Sequence, residues 1–442
     1  MSLLRRRFLM QKKGGAQIPN YLCFTALEDG TFSFKIGSSN TTTNIHYIEY
    51  SLDGITWNRT DNIADTEVII TTPTISAGNC VYWRAKATKY GINNGYTEVQ
   101  RCYFSSTGRF NVSGKLASMI KDDLSFETLA SYSAAYAFNY LFYNCTNLVS
   151  AKDLELLNIS YGSTNHAPYY SFMRGCTSLV DAPSLYNLDI NDNGFAYMFY
   201  GCSSLLAAPK LPNLDKTLRA SCFAYMFQNC TSLTSTPLFS YTTLASSCCR
   251  QMFYGCSSIT TTQSNFPATT PASRCYQQMF YGCSSLTSAP NIALTTLSTY
   301  SLNGMFRGCS SLVTPPNLVF TTTDTSSCEA MFYGCVNLVK SPILKPSALG
   351  MTSYKEMFRG ASKVEHITML ATDISKTNCL LNWVNGVKSV GVFVKHIDAT
   401  WTTTGASGVP TNWTVIYYDP SDDKYYTDQT KATECDDHGN PL

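Results

Sequence analysis

The sequence predicts a mixed β/α solenoid of about ten units of ~26 residues, preceded by a small antiparallel β-sandwich. Three observations lead to this fold class. A short motif recurs at nearly constant spacing, the segment ahead of it has the alternating pattern of β-strands, and the chain has 442 residues. That length exceeds what one hydrophobic core usually organises, which favours several domains or one long repeat array.

The N-terminal residues 1–18 form a basic arm. Its charges are Arg5, Arg6, Arg7, Lys12 and Lys13. The arginines resemble an export pattern, but the long apolar stretch of a signal peptide does not follow them. We therefore expect synthesis in a cytoplasm without a signal peptide. The arm is either a disordered terminus or an anchor on a larger assembly.

Residues 19–105 are predicted to form the sandwich. The segments GTFSFKI, IHYIEYSLDGITW, TEVIITTPTI and CVYWRAKAT alternate apolar and polar residues or are rich in β-branched residues, as strands are. Asp53 and Gly54 supply a hairpin turn. Short strands about ten residues apart suggest an immunoglobulin or fibronectin III type of sandwich.

The repeat motif is [Met/Leu/Phe]-Phe-x-[Gly/Asn]-Cys-[Ser/Thr]-[Ser/Asn]-Leu. Its cysteine position is spaced by 31, 26, 28, 26, 27, 26, 26, 26 and 26 residues along the chain. A period near 26 falls within the range of leucine-rich repeats. The copies place these residues in the cysteine position: Cys145, Cys176, Cys202, Cys230, Cys256, Cys283, Cys309, Cys335, Ala361 and Val387.

Each unit is expected to contain a short helix and a short parallel strand. Before the motif, Cys275, Gln278, Met279 and Gly282 follow one another at helix-like spacing, and the glycine would close the helix. After the motif, apolar residues recur every third position and then meet a proline. We assign residues 106–395 to the solenoid with its N-terminal cap, and residues 396–442 to a C-terminal β cap or tail.

The order Phe, Cys, Leu, Ala, Pro at this spacing resembles the BspA-like (treponemal-type) leucine-rich repeat of bacterial surface proteins. The resemblance covers residues 130–395, about 60 % of the chain. It implies a right-handed leucine-rich-repeat array in which the Cys and Leu positions face inward. The chain departs from the commonest family form by using Ala-Pro where Ile-x-Leu-Pro is usual.

The cysteines are predicted to be buried free thiols. Eight of the 18 occupy the motif position, and four more, Cys222, Cys248, Cys275 and Cys379, lie eight residues before it. Ala361 and Val387 replace the motif cysteine, as expected of a packing position. Disulfides between coils stay sterically conceivable.

No enzyme, cofactor or metal site is predicted. The chain has no Gly-rich phosphate loop, no GxSxG and no HExxH, and no histidine recurs with the repeat to activate a thiol. The CDDHGN tail, with Cys435, Asp436, Asp437 and His438, is more simply a solvated end than a metal site. With 32 basic and 30 acidic residues, the net charge of +2 excludes nucleic acid as a main partner. No apolar stretch is long enough for membrane insertion.

Two variable rows are candidate binding surfaces, because Tyr and Arg commonly anchor interfaces. The alternative is that the first row only covers the loops and the second is plain solvated sheet. The first row, two residues before the motif cysteine, holds Tyr143, Arg174, Tyr200, Gln228, Tyr254, Tyr281, Arg307, Tyr333 and Arg359. The second, five residues after it, holds Ser150, Asp181, Ala207, Ser235, Thr261, Ser288, Thr314, Lys340 and His366.

A basic arm with IPNYLCFTALEDGTFSFK, a sandwich and then MFYGCSSL repeats also resembles proteins of Bacteroides phages and prophages, including crAss-like phages. That resemblance implies a homo-oligomeric fibre or decoration protein on the virion surface. Its N-terminal region would bind other virion proteins, and its solenoid would bind a glycan or protein on the host cell. A bacterial cell-surface adhesin is the alternative. An enzyme acting on surface glycans is disfavoured, since no carboxylate pair recurs.

Overall fold

A computed structural model of the chain describes residues 20–37, 45–60, 68–87, 101–120, 137–159, 167–213 and 216–442. The basic arm, with Arg5, Arg6, Arg7, Lys12 and Lys13, lies outside the described residues. In the described part of the chain, the only helical element is one 3₁₀ turn, Leu116–Met119. The rest consists of strands, turns and loops.

The N-terminal region contains two antiparallel sheets that share a core. The first eight strands of the described chain are β1 (Leu22–Ala26), β2 (Phe32–Ile36), β3 (Ile45–Ser51), β4 (Asn58–Thr60), β5 (Val68–Thr71), β6 (Cys80–Ala87), β7 (Tyr103–Ser106) and β8 (Phe110–Lys115). The larger sheet has the order β4-β3-β6-β1-β8 and continues into β9 (Leu148–Glu155), whereas the smaller has the order β5-β2-β7.

The hairpin predicted at Asp53-Gly54 joins β3 to β4. Gly54 has a φ of 71°, which glycine adopts without strain. The Asp53 carboxylate accepts hydrogen bonds from the backbone N–H groups of Ile55 (2.8 Å) and Thr56 (2.7 Å). These bonds hold the pKa of Asp53 below its ordinary value. The strand and turn pattern in this segment therefore predicted the local structure.

The sandwich and the solenoid share one continuous core. Strand β8 pairs antiparallel with β1 and parallel with β9, the first strand of the repeat region. Phe142, from the first motif copy, lies 6.0 Å from Phe24 and 5.6 Å from Phe104, measured between ring centroids. The first coil is thus built directly on the sandwich.

The repeat region is a β-solenoid whose coils are joined by parallel strands or single parallel bridges. In the middle coils the contact narrows to isolated bridges, such as Ser235 to Thr261, or Ser288 to Thr314 together with Ile292 to Leu318. Parallel pairing widens again in β12 to β15, and β16 and β17 continue that sheet antiparallel. The strands are β9 (Leu148–Glu155), β10 (Asn265–Phe266), β11 (Asn291–Ile292), β12 (Lys340–Leu344), β13 (His366–Met369), β14 (Val392–His396), β15 (Thr414–Asp419), β16 (Lys424–Tyr426) and β17 (Glu434–Cys435).

The segment that leads into each motif is a ribbon of successive β-turns. Its N–H groups donate alternately to the next coil and to the residue three positions back. Gly304 donates to the carbonyl of Glu329 in the next coil (2.8 Å), and Met305 donates to Leu302 in its own coil (3.1 Å). The alternation runs over residues 301–309 and recurs in the other copies. Every peptide group of the ribbon is thereby satisfied without a helix.

Left-handed backbone conformations recur every fourth residue in this ribbon. In one copy they fall on Arg274, Gln278 and Gly282, with φ of 57°, 54° and 72°. The last of these is the Gly/Asn position of the motif. Glycine adopts this conformation freely and asparagine tolerates it, as Asn144 and Asn229 do at the same position.

A stack of phenylalanine rings runs through the coils. Each ring comes from the position three residues before the motif cysteine, and neighbouring centroids are 5.5–5.8 Å apart with nearly parallel planes. Trp383 closes the stack edge-on against Phe358 at 6.0 Å. The members are Phe199, Phe227, Phe253, Phe280, Phe306, Phe332 and Phe358.

The structure confirms a solenoid but corrects the secondary structure predicted for each unit. The predicted helix in each unit is wrong, because the buried residues recur every four positions along a turn ribbon. Cys275 and Met279 are buried, whereas Gln278 between them is only half-buried. The leucine-rich-repeat assignment, the number of units, the sandwich class and the domain boundaries stay predictions.

Candidate binding face

The motif cysteines have a defined bonding role inside the solenoid. All 18 cysteines are free, and all but Cys80 are buried. From Cys176 onward, each motif thiol donates to a carbonyl of the preceding copy, with S···O distances of 2.9–3.2 Å. Cys283, for example, donates to Phe253 at 3.2 Å. The thiol therefore links neighbouring coils as well as filling space.

Burial makes these thiols poor nucleophiles. It raises the pKa of Cys256 and Cys335 to about 12 and that of Cys283 well above its ordinary value. Reactive cysteines instead have low pKa values and solvent access. The motif cysteines are thus structural groups.

The first variable row forms a half-buried ladder along one edge of the coils. We call it the Tyr/Arg ladder: Tyr143, Arg174, Tyr200, Gln228, Tyr254, Tyr281, Arg307, Tyr333 and Arg359. Tyr254 and Tyr281 stack with centroids 4.4 Å apart. The Arg307 guanidinium lies 5.6 Å from the Tyr281 ring and 4.2 Å from the Tyr333 ring. Cation–π contacts and ring stacking thus connect Tyr143 to Tyr200 and Tyr254 to Arg359, on either side of Gln228.

A second column of tyrosines, missed in the sequence analysis, lies beside the N-terminal half of this ladder. We call it the companion ladder: Tyr140, Tyr170, Tyr197 and Tyr225. Its neighbouring centroids are 4.4–5.7 Å apart. Arg174 joins the two ladders, because its guanidinium lies 5.4 Å from Tyr197 and 4.6 Å from Tyr200. The recurrence of Tyr five or six residues before the cysteine was the available signal.

Polar and charged residues replace the companion tyrosines in the C-terminal half. Lys355 pairs with Glu329 at 3.0 Å, and Arg359 pairs with Glu356 at 2.6 Å. The pairs are partly exposed, so each contributes little to stability. They do, however, neutralise the charges of Lys355 and Arg359, whereas Arg307 contacts the Tyr281 and Tyr333 rings.

The second variable row lies where neighbouring coils meet in parallel register. Ser150 bridges to Asp181, and Lys340 pairs with His366. Most of the row is exposed, although Ser150 is buried. Its side chains are shorter and less aromatic than those of the ladders, so it offers the weaker anchor points.

A cleft of about 730 Å³ lies on the C-terminal sheet beside β12 and β13. Several of its polar groups are already paired with one another. The Tyr418 hydroxyl donates to Asp423 at 2.8 Å, and His396 Nδ1 lies 3.6 Å from the Asp398 carboxylate. The tail nearby is also internally bonded, since Asp436 accepts from the backbone N–H groups of His438 and Asn440.

The described residues contain neither a cluster of metal ligands nor a membrane-spanning helix. No three His, Cys, Asp or Glu side chains there gather as a metal site requires. Within the same residues, no helix has the length and apolar character needed to cross a bilayer.

Comparison with known proteins gives one family similarity. A family model described as "Mycoplasma protein of unknown function, DUF285" matches residues 190–293 and 275–370. The coils resemble a repeat family of unknown function. Both matched segments carry the cysteine motif, and the similarity is compatible with a BspA-like repeat protein. No curated protein matches the chain.

Proposed function

We propose that this protein is a non-enzymatic adhesion protein that presents the Tyr/Arg ladder to a glycan or protein on a cell surface. The observation that carries the proposal is the recurrence of Tyr and Arg at one position of successive coils. Tyr and Arg are enriched at binding hot spots. Contacts that repeat along a solenoid and among copies of the chain add up through avidity.

Two kinds of adhesion protein fit this proposal. The resemblance to phage-encoded proteins favours a fibre, or a capsid or tail decoration protein, that is held on the virion by its N-terminal region. The alternative is a bacterial cell-surface adhesin, which the similarity to BspA-like repeats supports. Mass spectrometry of purified phage particles separates them, because absence of the protein from particles would eliminate the virion role.

The adhesion role is tested by the double variant Tyr254→Ala and Tyr281→Ala. Removing the stacked pair should reduce adsorption to host cells at least about tenfold, since each ring is an anchor of the ladder. A matched control is the double variant Thr261→Ala and Ser288→Ala, which alters the second row of the same two coils. Full adsorption by the tyrosine variant, with an unchanged circular dichroism spectrum, would contradict the proposal.

A further inference from the structure

Two arginines in the N-terminal half of the face, Arg174 and Arg250, contact tyrosine rings and no carboxylate among the described residues. Among the described residues, neither Arg174 nor Arg250 lies within ion-pair distance of an acidic side chain. Arg174 instead contacts three tyrosine rings at 4.6–6.0 Å, and Arg250 lies 5.5 Å from Tyr225. Both arginines are half-buried, and within the described residues no carboxylate neutralises their charge.

The tyrosines around them offer ring edges and hydroxyls instead of free ring faces. Tyr197 lies between Tyr170 and Tyr225, at centroid distances of 5.4 and 4.4 Å. Tyr281 is similarly placed between Tyr254 and the Arg307 guanidinium. Stacking of a sugar ring on these faces is therefore blocked. A ligand would be held by hydrogen bonds from hydroxyl and guanidinium groups to its oxygen atoms.

The spacing of the positive charges indicates the type of polymer. Arg174 and Arg250 belong to motif copies three apart, which corresponds to roughly 14 Å along a stack of strands. Duplex DNA carries a charge about every 1.7 Å, far more densely than this surface could neutralise. Widely spaced cations among hydroxyl groups match a ligand with widely spaced anions among hydroxyl groups.

We infer that the N-terminal half of the face, built by Arg174, Arg250 and the half-buried companion tyrosines Tyr170, Tyr197 and Tyr225, binds an acidic polysaccharide through its carboxylate or sulfate groups. This inference rests on the proposed adhesion function and names its ligand class. In the C-terminal half, Glu329 and Glu356 already pair with Lys355 and Arg359. Of the ladder cations described in that half, Arg307 alone contacts tyrosine rings without an ion pair.

The test measures binding of the full chain to polygalacturonate, hyaluronate and chondroitin sulfate by biolayer interferometry. Carboxyl-reduced polygalacturonate and polyglutamate serve as comparison polymers. The wild type should bind at least one acidic polysaccharide at least about tenfold more tightly than either comparison polymer. The double variant Arg174→Gln and Arg250→Gln should lose at least about tenfold in affinity, whereas Arg109→Gln, an exposed arginine of the sandwich that lies 3.8 Å from Glu28, should bind like the wild type.

Three outcomes overturn the inference: no binding to any acidic polysaccharide, equal binding to the reduced polymer, or tighter binding to polyglutamate, which would indicate an acidic protein partner. Host-cell adsorption measured in parallel separates this inference from the adhesion role. If the Tyr254 and Tyr281 double variant loses adsorption while the acidic polysaccharides fail to bind, only the ligand class is wrong. If adsorption survives that variant, the proposed function itself is wrong.

Discussion

The two halves of the ladder face share one backbone and differ in side-chain chemistry. In both, the turn ribbon repeats the same hydrogen bonds and left-handed positions. The N-terminal half adds tyrosines together with Arg174 and Arg250, which have no ion pair among the described residues. The C-terminal half keeps Arg307 beside tyrosine rings and adds ion pairs such as Glu356 with Arg359. This difference shows that the turn ribbon sets the backbone geometry of each coil, whereas the side chains that face outward vary from coil to coil. Stability and recognition thus depend on different residues of the same coil.

The largest expected effect is a loss of folding stability, which tests whether the phenylalanine stack stabilises both halves equally. Phe199→Ala in the N-terminal half and Phe332→Ala in the C-terminal half each remove a fully enclosed ring from the stack. Each should lower the free energy of unfolding by about 3–5 kcal/mol. Urea denaturation followed by circular dichroism measures this. A loss of stability several times greater in one half would show that the phenylalanine stack does not stabilise the two halves equally.

A smaller effect is expected from the thiol bonds between coils. Cys202→Ala and Cys309→Ala each leave a small cavity and remove a thiol donor held 3.1 Å from a carbonyl. We expect each to lower the free energy of unfolding by about 1–2 kcal/mol, in both halves alike. The reverse change, Ala361→Cys, restores the motif residue and serves as the control. Equal stability of all three variants and the wild type would show that the thiol bond contributes nothing.

A binding gain of about two- to threefold is expected when a C-terminal cation is released. Glu356→Gln removes the carboxylate partner of Arg359, whose guanidinium lies 5.7 Å from the Tyr333 ring. Exposed charges typically contribute about 0.2–1 kcal/mol, which matches a change of this size. Affinity for the best acidic polysaccharide is the measurement. Reduced affinity would contradict the role given to free arginines.

The smallest effect is the pH dependence of binding in the N-terminal half. Burial raises the pKa of Tyr170 to about 12 and also raises the pKa of Tyr197 above its ordinary value. Both phenols therefore stay neutral at the pH values of this test. Arginine stays charged throughout. Affinity for the acidic polysaccharide should therefore change less than about twofold between about pH 6 and 9. A steep loss within that window would implicate another titrating group.

The sequence predicted the solenoid, the strands of the sandwich and the burial of the thiols, but it did not predict the ribbon. Spacings of three and four between apolar residues fit a helix of period 3.6, and a turn ribbon of period four produces nearly the same pattern over a short segment. The decisive signal was a polar residue such as Gln278 between buried neighbours, in the left-handed conformation. That conformation depends on hydrogen bonds between coils, which a single unit does not contain.

The candidate face was only partly predictable. The Tyr/Arg ladder follows from one position of the motif, so its members were identifiable by alignment of the copies. The companion ladder does not keep to one position of the motif. Tyr170 lies six residues before its cysteine, whereas Tyr197 lies five before. Glu356 pairs with Arg359, whereas Arg174 has no such partner among the described residues. This difference depends on where the side chains lie in three dimensions. Composition and net charge conceal that contrast.

The parallel pairing of β8 with β9 has a consequence for how the chain reaches its native state. The sandwich is synthesised first, and its last strand presents an edge on which the first coil assembles. Each finished coil then offers the next one an ordered row of backbone N–H donors and an aromatic ring to pack against. Growth in this direction follows synthesis from the ribosome, so each step adds mostly nearest-neighbour contacts and avoids the slow search for distant partners.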